Sequence, residues 1–432
     1  MTHQRPISPF ESVYFVDLGA AGLPLYDMAV FVDCLVRGRL DPALLRRALG
    51  LLTERHPMLR SEVADGDTGL LLRVRDRVEP PLTVLDGIED TYAELINTRP
   101  DWTESLLHAW LLTDGERSQV VLGVHHGVID GRSVFPLLDE FWRYYSALAA
   151  GASPSVERRE ALPEAIDTRL AGTLPDAEID ALVDAIAQGA GADVKPAALP
   201  TEGVGRPDRP DAARRFVVDR LEFSEETTDA VAAAARSRGV SVNSLVTELL
   251  LTAVRAQLAP EHGPLTMTCG HAVDLRTRLT PELPRATTLN CVTGLQTTLT
   301  VGHDDPPGAV GREVAGQMTG ALARRDPERS LLAALRAGAR GIPVPVPVVS
   351  YGISNLGRIP APPVPQDVRL LRFGATGNAP GMPPKILVAG LGGRLLVQNE
   401  YDAWTYAPEQ MRRVREALRG SLSAFGEPRL TS

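Results

Sequence analysis

The sequence has few of the features that mark nucleic-acid-binding, secreted or membrane proteins. Its 432 residues include only two lysines and carry a formal net charge of −9, whereas phosphate binding needs clustered positive charge. No apolar signal region follows the N-terminus, and the most apolar helical run, 245–254, is far shorter than the ~20 residues of a bilayer span. We therefore expect a cytoplasmic monomer without a membrane span or a nucleic-acid partner.

Cysteine and metal-binding patterns are also scarce. The three cysteines, Cys34, Cys269 and Cys291, are an odd number and have no metal-ligand spacing. We predict that they are reduced, partly buried and chemically inert. No histidines have HExxH-like spacing, so the sequence predicts no metal site. The remaining composition, with 44% hydrophobic and 23% charged residues, is typical of a globular protein large enough for two domains.

One dense motif is present, in the stretch 121–145, which reads VLGVHHGVIDGRSVFPLLDEFWRYY. An apolar run leads into His125 and His126, and apolar residues at helical spacing follow Asp130 and Gly131. An imidazole at the end of a buried strand can act as a general base, because it titrates near neutral pH. Asp130 can approach the ring or support the turn, and Gly131 permits a tight bend. The alternative is a structural role, in which both histidines are hydrogen-bonded at the end of the strand and Asp130 caps the helix.

The motif HHGVIDG, at 125–131, matches the HHxxxDG signature, and the chain therefore resembles the condensation-domain and chloramphenicol-acetyltransferase-like acyltransferases. RHPMLR at 55–60, DLR at 274–276 and SNLG at 354–357 also resemble segments of these enzymes, in the same order. The nearer branch is the stand-alone polyketide-associated acyltransferases, which esterify diols with lipid chains. The resemblance implies an α/β fold of the α+β sandwich type, with two chloramphenicol-acetyltransferase-like lobes and the active site at their interface.

The order of predicted strands and helices also favours an α/β sandwich. We predict an N-terminal lobe over 1–150, which carries the motif, an interdomain connection over 151–214, and a C-terminal lobe over 215–432. The connection is rich in proline, glycine and alanine and contains one predicted helix, 176–188. A mobile lid is the alternative interpretation of this segment.

The resemblance implies acyl transfer from a thioester to a hydroxyl or amine of a small-molecule acceptor, either a natural product or a lipid. His126, the family's second histidine, would be the general base, and positioning of two reactants would make an acyl-enzyme unnecessary. We predict that the backbone N–H of Gly131 stabilises the oxyanion. The donor would be a thioester of coenzyme A or of the phosphopantetheine of an acyl- or peptidyl-carrier protein. We expect no tightly bound cofactor.

The resemblance also implies residues that support the site. In the family the motif aspartate pairs with an arginine of the DLR segment, here Arg276, and the pair positions the loop that carries the second histidine. A surface pair between Arg276 and Asp274 is the alternative. Ser354, Asn355 and Gly357 are candidate substrate-channel residues, although asparagine and glycine suit a turn whatever the chemistry.

Two other functions are compatible with the motif. One is amide condensation, epimerisation or cyclisation on a carrier-bound intermediate, and the other is a catalytically silent carrier-binding module, against which the intact motif argues. For carrier docking, Arg412, Arg413, Arg415 and Arg419 form a candidate surface, since three of the four share one helix face. A solvated helix flank is the alternative.

Overall fold

The computed structural model describes residues 3–17, 25–67, 69–189, 195–203, 205, 215–345 and 348–426. In chain order its strands and helices are β1 (Gln4–Pro6), α1 (Pro9–Phe15), β2 (Ala29–Arg37), α2 (Pro42–Arg55), β3 (Ser61–Gly66), β4 (Gly69–Val74), β5 (Leu82–Asp86), α3 (Glu89–Leu95), β6 (Leu107–Thr113), β7 (Arg117–His125), α4 (Val134–Ala149), α5 (Ile166–Leu170), α6 (Asp176–Ala187), β8 (Phe216–Glu222), α7 (Glu225–Ser237), α8 (Val242–Arg255), β9 (Leu265–Asp274), β10 (Val292–Val301), α9 (Ala309–Ala323), α10 (Asp326–Ala339), β11 (Tyr351–Ile359), β12 (Arg369–Thr376), β13 (Lys385–Leu391), β14 (Arg394–Asp402) and α11 (Pro408–Ser423).

These elements form two compact units that are discontinuous in sequence. Unit 1 comprises Met1–Thr173, Asp274–Val292 and Pro360–Ala379. Unit 2 comprises Leu174–Val273, Thr293–Ile359 and Pro380–Ser432. Two segments from the second half of the sequence therefore belong to the unit that carries the HHxxxDG motif.

The units differ from the contiguous division predicted at 1–150, 151–214 and 215–432. The helix predicted inside the connection is α6, which is part of unit 2. Composition identifies breaks along the chain, but it carries no information on which distant segments pack together. Parts of the predicted connection, at 190–194, 204 and 206–214, lie outside the described residues.

The central sheet of unit 1 holds the strand that leads into the motif. Its strand order is β12-β2-β7-β6-β5, and β7 pairs antiparallel with β2 on one side and β6 on the other. From Ser118 to His125 every residue of β7 is buried. Because β7 is hydrogen-bonded along both edges, its end at His125 is a rigid support for the turn that follows.

Two helices of unit 1 pack against each other near this strand. Asp41 caps α2 by accepting a hydrogen bond from the N–H of Ala43 at 2.7 Å, as expected from the Asp-Pro start. α4 begins directly after the motif and packs on α2. It buries the apolar stripe predicted from the sequence, including Phe141 and Trp142. The turn that carries the motif is therefore anchored in the sheet on one side and in a helix pair on the other.

Unit 2 is built on a mixed sheet in the order β10-β9-β11-β13-β14-β8. Its main core includes buried residues of α7, α8 and α11 packed with apolar residues of these strands. A smaller core, with Ile179, Val183 and Ala337, lies between α6 and α10. The ion pair of Arg336 with Asp180, at 3.1 Å, joins the same two helices. The sequence predicted one helix at 307–324, and the structure adds α10 after it.

None of the helices in the described ranges is long and apolar enough to cross a membrane. The three cysteines are buried and unpaired. Burial raises the pKa of the Cys269 and Cys291 thiols, so both thiols stay protonated at neutral pH. This environment agrees with the prediction that they are inert.

Candidate active site

His125 occupies a fully buried position at the end of β7. Its ring stacks on Phe15, with centroids 4.3 Å apart and an interplanar angle of 5°. Nδ1 accepts a hydrogen bond from the N–H of Gly127 at 3.0 Å, so the neutral ring carries its proton on Nε2, 3.7 Å from Asp27 Oδ1. Burial lowers the pKa of His125, although Asp27 opposes this effect. His125 is therefore a neutral, packed part of the scaffold.

Gly127 is required by the close approach of Phe15. A Cβ at this position would lie 2.5 Å from Phe15 Cε2, closer than real Cβ contacts, and 3.0 Å from His125 Nδ1. On the far side of His125, Asp27 forms an ion pair with Arg99 and its carbonyl accepts from the indole N–H of Trp102 at 3.1 Å. These contacts fix the first histidine of the motif from both sides.

His126 has a different environment, since its ring is half-buried. Nδ1 lies 2.8 Å from the carbonyl oxygen of Ile129. A carbonyl can only accept, so this hydrogen bond assigns the ring proton to Nδ1 and leaves the lone pair of the neutral ring on Nε2. The backbone N–H donates to Met28 O at 2.8 Å, and the ring packs against Tyr14 with centroids 5.1 Å apart. The turn itself therefore fixes the tautomer that a general base needs.

Asn290 contacts His126 and was not predicted from the sequence. Its Nδ2 donates to the carbonyl oxygen of His126 at 2.8 Å and lies 3.1 Å from the ring Nδ1. The sequence of 289–300 favours a strand that would include Asn290, whereas β10 begins only at Val292. The preceding residues form a loop beside the motif. A polar asparagine within an apolar run, TLNCV, was the only local signal.

Asp130 supports the turn and makes its hydrogen bonds away from the imidazole. Oδ1 accepts from the N–H groups of Arg132 at 2.9 Å and Ser133 at 3.1 Å, and Oδ2 accepts from the N–H of Cys291 at 2.7 Å. Burial opposes ionisation, but Arg276 and these N–H groups outweigh it and lower the pKa of Asp130. Of the alternatives for Asp130, the structure therefore shows support of the turn, whereas the N-cap residue of α4 is Ser133.

Arg276 is fully buried and joins three parts of unit 1. Nη1 donates to Asp130 Oδ2 at 2.6 Å and to Asp274 Oδ1 at 3.1 Å. Nη2 donates to the carbonyl oxygen of Leu289 at 2.5 Å. Burial opposes the charge, but the two carboxylates prevail and raise the pKa of Arg276. One guanidinium thus links the motif loop to the segment that carries Asn290, and both partners considered from the sequence contact it.

Gly131 presents a backbone N–H next to this cluster. The amides of Arg132 and Ser133 donate to Asp130. In contrast, no residue in the described ranges accepts a hydrogen bond from the Gly131 N–H. Within those ranges, no group of three or more His, Cys, Asp or Glu side chains is placed to hold a metal ion.

Ser354, Asn355 and Gly357 lie in β11 of unit 2. Asn355 Oδ1 accepts from the N–H of Gly357 at 2.9 Å, and Gly357 has a φ of 70°. The pairing of β11 with β13 shifts register between these two residues. They form a bulge inside a strand, which explains the asparagine and the glycine structurally. Their assignment to a substrate channel stays a prediction.

The RHPMLR segment forms a second polar cluster in unit 1. His56 Nε2 lies 2.9 Å from Glu140 Oε2, and His56 Nδ1 lies 3.4 Å from Thr288 Oγ1. Arg60 is buried and donates from Nε to Thr53 O at 2.8 Å. Through Thr288, this cluster also contacts the segment that carries Asn290.

In comparisons with known proteins, the matching family and one similar sequence are both described as dimycocerosyl transferases. The family described as "Phthiocerol/phthiodiolone dimycocerosyl transferase C-terminus" matches residues 212–406. A phthiocerol/phthiodiolone dimycocerosyl transferase of Mycobacterium leprae is 25% identical over 289 residues, which cover 65% of this chain and 66% of that protein. The chain therefore matches slightly less than two thirds of the length of this relative.

Solved structures share the fold over nearly the whole chain. Polyketide synthase associated protein 5 from Mycobacterium tuberculosis has a TM-score of 0.71 and 19% identity, covering 98% of this chain and 100% of that one. The first condensation domain of the CDA synthetase has a TM-score of 0.69 and 19% identity, covering 99% and 97%. The predicted resemblance is confirmed: the chain is similar to the condensation-domain and chloramphenicol-acetyltransferase-like acyltransferases, near the polyketide-associated ones, and has their two-lobed α/β fold.

Proposed function

We propose that this chain, with the fold of the condensation-domain and chloramphenicol-acetyltransferase-like acyltransferases, transfers an acyl group from a thioester to a hydroxyl or amine of a small natural-product or lipid acceptor. The observation that carries the proposal is the state of His126. Its ring is half-buried at the end of a rigid strand, and its Nδ1–H is engaged by Ile129 O at 2.8 Å. Nε2 is therefore the basic nitrogen, as general-base catalysis requires.

In the proposed reaction, His126 Nε2 takes the proton of the acceptor as the acceptor oxygen or nitrogen attacks the thioester carbonyl carbon. The carbonyl π bond opens to an oxyanion, and the adjacent N–H of Gly131 is the proposed donor to it. Collapse of the tetrahedral intermediate breaks the C–S bond, and the leaving thiolate takes the proton back from His126. The base is restored, and the balance needs no other reactant.

Asp130 and Arg276 have a positioning role in this proposal. Both are buried and bonded to each other, so neither is available to exchange a proton with substrate. They hold the loop on which His126 and Gly131 lie.

A lipid or polyketide-derived acceptor is supported by the names of the relatives, which are dimycocerosyl transferases of phthiocerol or phthiodiolone. The donor is a thioester of coenzyme A or of a carrier protein. The similarity to a condensation domain is the reason to test carrier proteins as donors. The alternative function is amide condensation or another reaction on a carrier-bound intermediate. It differs from the proposed function in which acceptor reacts.

The test is a thiol-release assay with acyl-coenzyme A and acyl-pantetheine donors of several chain lengths against matched alcohols and amines, with products identified by mass spectrometry. We expect ester or amide formation and stoichiometric thiol release. Product from amines alone would favour the condensation alternative. Acyl transfer would be contradicted if the wild type released thiol no faster than the His126→Ala variant. This result would have to hold for both donor series and for a purified acyl-carrier protein.

The arginines of α11 give a separate prediction about the carrier. Arg412 pairs with Glu409 at 2.7 Å, Arg415 pairs with Glu416 at 2.8 Å, and Arg419 also approaches Glu416. Because these neighbours offset the positive charge, we expect little long-range attraction to an acidic carrier. Replacing Arg412, Arg415 and Arg419 with glutamine should change KM for an acyl-carrier donor by less than about 2-fold. A larger, salt-sensitive rise for the carrier, without one for acyl-pantetheine, would instead identify α11 as the docking surface.

A further inference from the structure

We propose that Asn290 is a positioning residue that holds His126 in the orientation needed for its role as a base. This inference rests on the proposed function, but its test includes a measurement that needs no substrate. Its starting point is a two-point contact, from Asn290 Nδ2 to the backbone carbonyl of His126 at 2.8 Å and to the ring Nδ1 at 3.1 Å. One side chain therefore contacts both the backbone and the ring of the base.

The direction of the Asn290 amide is fixed by its own chain. Oδ1 accepts from the N–H of Val292 at 3.1 Å, so the NH₂ end must face His126. That end is also the one that the carbonyl oxygen of His126 requires, since a carbonyl cannot donate. The amide thus has one consistent orientation, with donors directed at the histidine.

The segment around Asn290 is held on both sides of that residue. Arg276 binds the carbonyl of Leu289, and Asp130 binds the N–H of Cys291. Further back, Thr288 lies against His56. The two residues that flank Asn290 are therefore fixed by the same buried ion pair that holds the motif loop. This arrangement sets the distance between Asn290 and His126 and makes it insensitive to movement of either loop alone.

The amide also acts electrostatically on the ring. Its N–H dipoles present partial positive charge about 3 Å from Nδ1, which disfavours a second proton on the imidazole. The other titratable groups that face His126 are Tyr14, packed on the ring from α1, and Asp130, which lies on the same loop and is paired with Arg276. Burial raises the pKa of Tyr14 to about 12, although a hydrogen bond with Asn290 opposes this effect, so Tyr14 stays neutral.

The experiment compares Asn290→Asp and Asn290→Ala with the wild type by NMR of the labelled histidine side chains. The carboxylate of Asn290→Asp places a negative charge beside the ring and stabilises the imidazolium. The titration midpoint of His126 should therefore move to higher pH, by about 1–3 units. In the wild type Nδ1 should show the shift of a protonated nitrogen and Nε2 that of an unprotonated one. Asn290→Ala should keep this tautomer, because Ile129 O still accepts from Nδ1, and its midpoint should rise slightly as the partial positive charge of the amide is lost.

Turnover gives a second set of readouts. With Asn290→Asp the acidic limb of the kcat profile should shift upward together with the titration, because the base must be neutral to act. With Asn290→Ala kcat should fall about 10-fold with KM changed by less than about 2-fold, as expected for one lost hydrogen bond that aligns the base. Asn97→Asp is the matched control, since it adds the same charge to unit 1 at an amide that donates to Ala93 O, and it should leave the midpoint unchanged.

The outcomes separate this inference from the proposed function. An unchanged His126 midpoint in both Asn290→Asp and Asn290→Ala would overturn the role of Asn290 whatever the activity. The expected NMR changes in a protein that releases no thiol would support the Asn290–His126 coupling while the acyl-transfer proposal fails. If Asn290→Asp does not fold, the titration midpoint of Asn290→Ala decides the question alone, because loss of the amide dipole should raise it.

Discussion

Replacing His126 with alanine is expected to lower turnover by ~10²–10⁴-fold, the usual contribution of a general base. The physical reason is that alanine has no lone pair to accept the proton. In the wild type, Nδ1 donates to Ile129 O at 2.8 Å, so the lone pair of the neutral ring is on Nε2. The loss should appear in kcat, because the proton is transferred in the transition state and not on binding. Steady-state kinetics with the acyl donor and acceptor identified in the thiol-release assay would measure it.

Two control variants separate chemistry from packing. His126→Gln keeps a polar side chain of similar reach but has no basic nitrogen, so it should lose turnover as the alanine variant does. His303→Ala removes an exposed histidine of unit 2 and should retain wild-type turnover. Circular dichroism of all three should match the wild type. Turnover within about 10-fold of normal in both His126 variants would contradict its assignment as the base.

His125 would not be a suitable control for this experiment. Its ring is fully buried between Phe15 and the edge of Trp102, and its Nδ1 accepts from the N–H of Gly127. Truncation would leave a cavity and an unsatisfied amide, both of which destabilise the fold. Loss of activity after such a change would report on folding and not on proton transfer.

The contrast between the two histidines shows how far the sequence alone could go. The strand, the turn and α4 are set by local patterns, so their order and the position of the HH pair were predictable. The tautomer of His126 depends on a carbonyl three residues away, which folding places and no pattern encodes. The choice of His126 over His125 came from the resemblance, and the difference in burial between the two rings supports it.

Long-range contacts explain what the sequence missed. Asn290 is separated from His126 by 164 positions, and the apolar residues around it were read as a continuous strand. Tyr14 and Phe15 lie on a short helix, α1, whose seven residues leave little periodicity to detect. The contact of Asp130 with Arg276 followed from the resemblance, whereas their membership of one compact unit appeared only in the fold.

The second large effect is expected at this ion pair. Asp130 and Arg276 have side-chain exposures of 3% and 0%. Removing Arg276 leaves the buried Asp130 carboxylate without its counter-ion, and removing Asp130 leaves Arg276 with only the longer contact to Asp274, at 3.1 Å, among the carboxylates of the described residues. We expect Asp130→Ala and Arg276→Ala each to lower the free energy of unfolding by about 3–5 kcal/mol. The double variant should cost less than the sum of the two, because the second substitution removes a charge that has already lost this partner.

Urea denaturation followed by tryptophan fluorescence suits this double-mutant cycle. Three of the four tryptophans, Trp102, Trp110 and Trp142, belong to unit 1, so the signal reports mainly on the unit that contains the pair. The matched control is the exposed pair of Arg143 with Asp139 on α4, at 2.7 Å. Its cycle should give a coupling of only about 0.3–0.5 kcal/mol.

The pH dependence of the same cycle provides a further check. The folded-state pKa of Asp130 is lowered, so its ionised form contributes stability above the unfolded value of about 3.9 and loses it as the pH falls through the folded value. The difference in unfolding free energy between the wild type and Asp130→Asn should therefore stay constant from pH 8 to about pH 5 and narrow only in more acidic solution. Additive effects of the two alanine substitutions, together with a difference that already narrows near neutral pH, would mean that the pair does not hold the loop. In that case the alignment of His126 would depend on the Ile129 and Asn290 contacts alone.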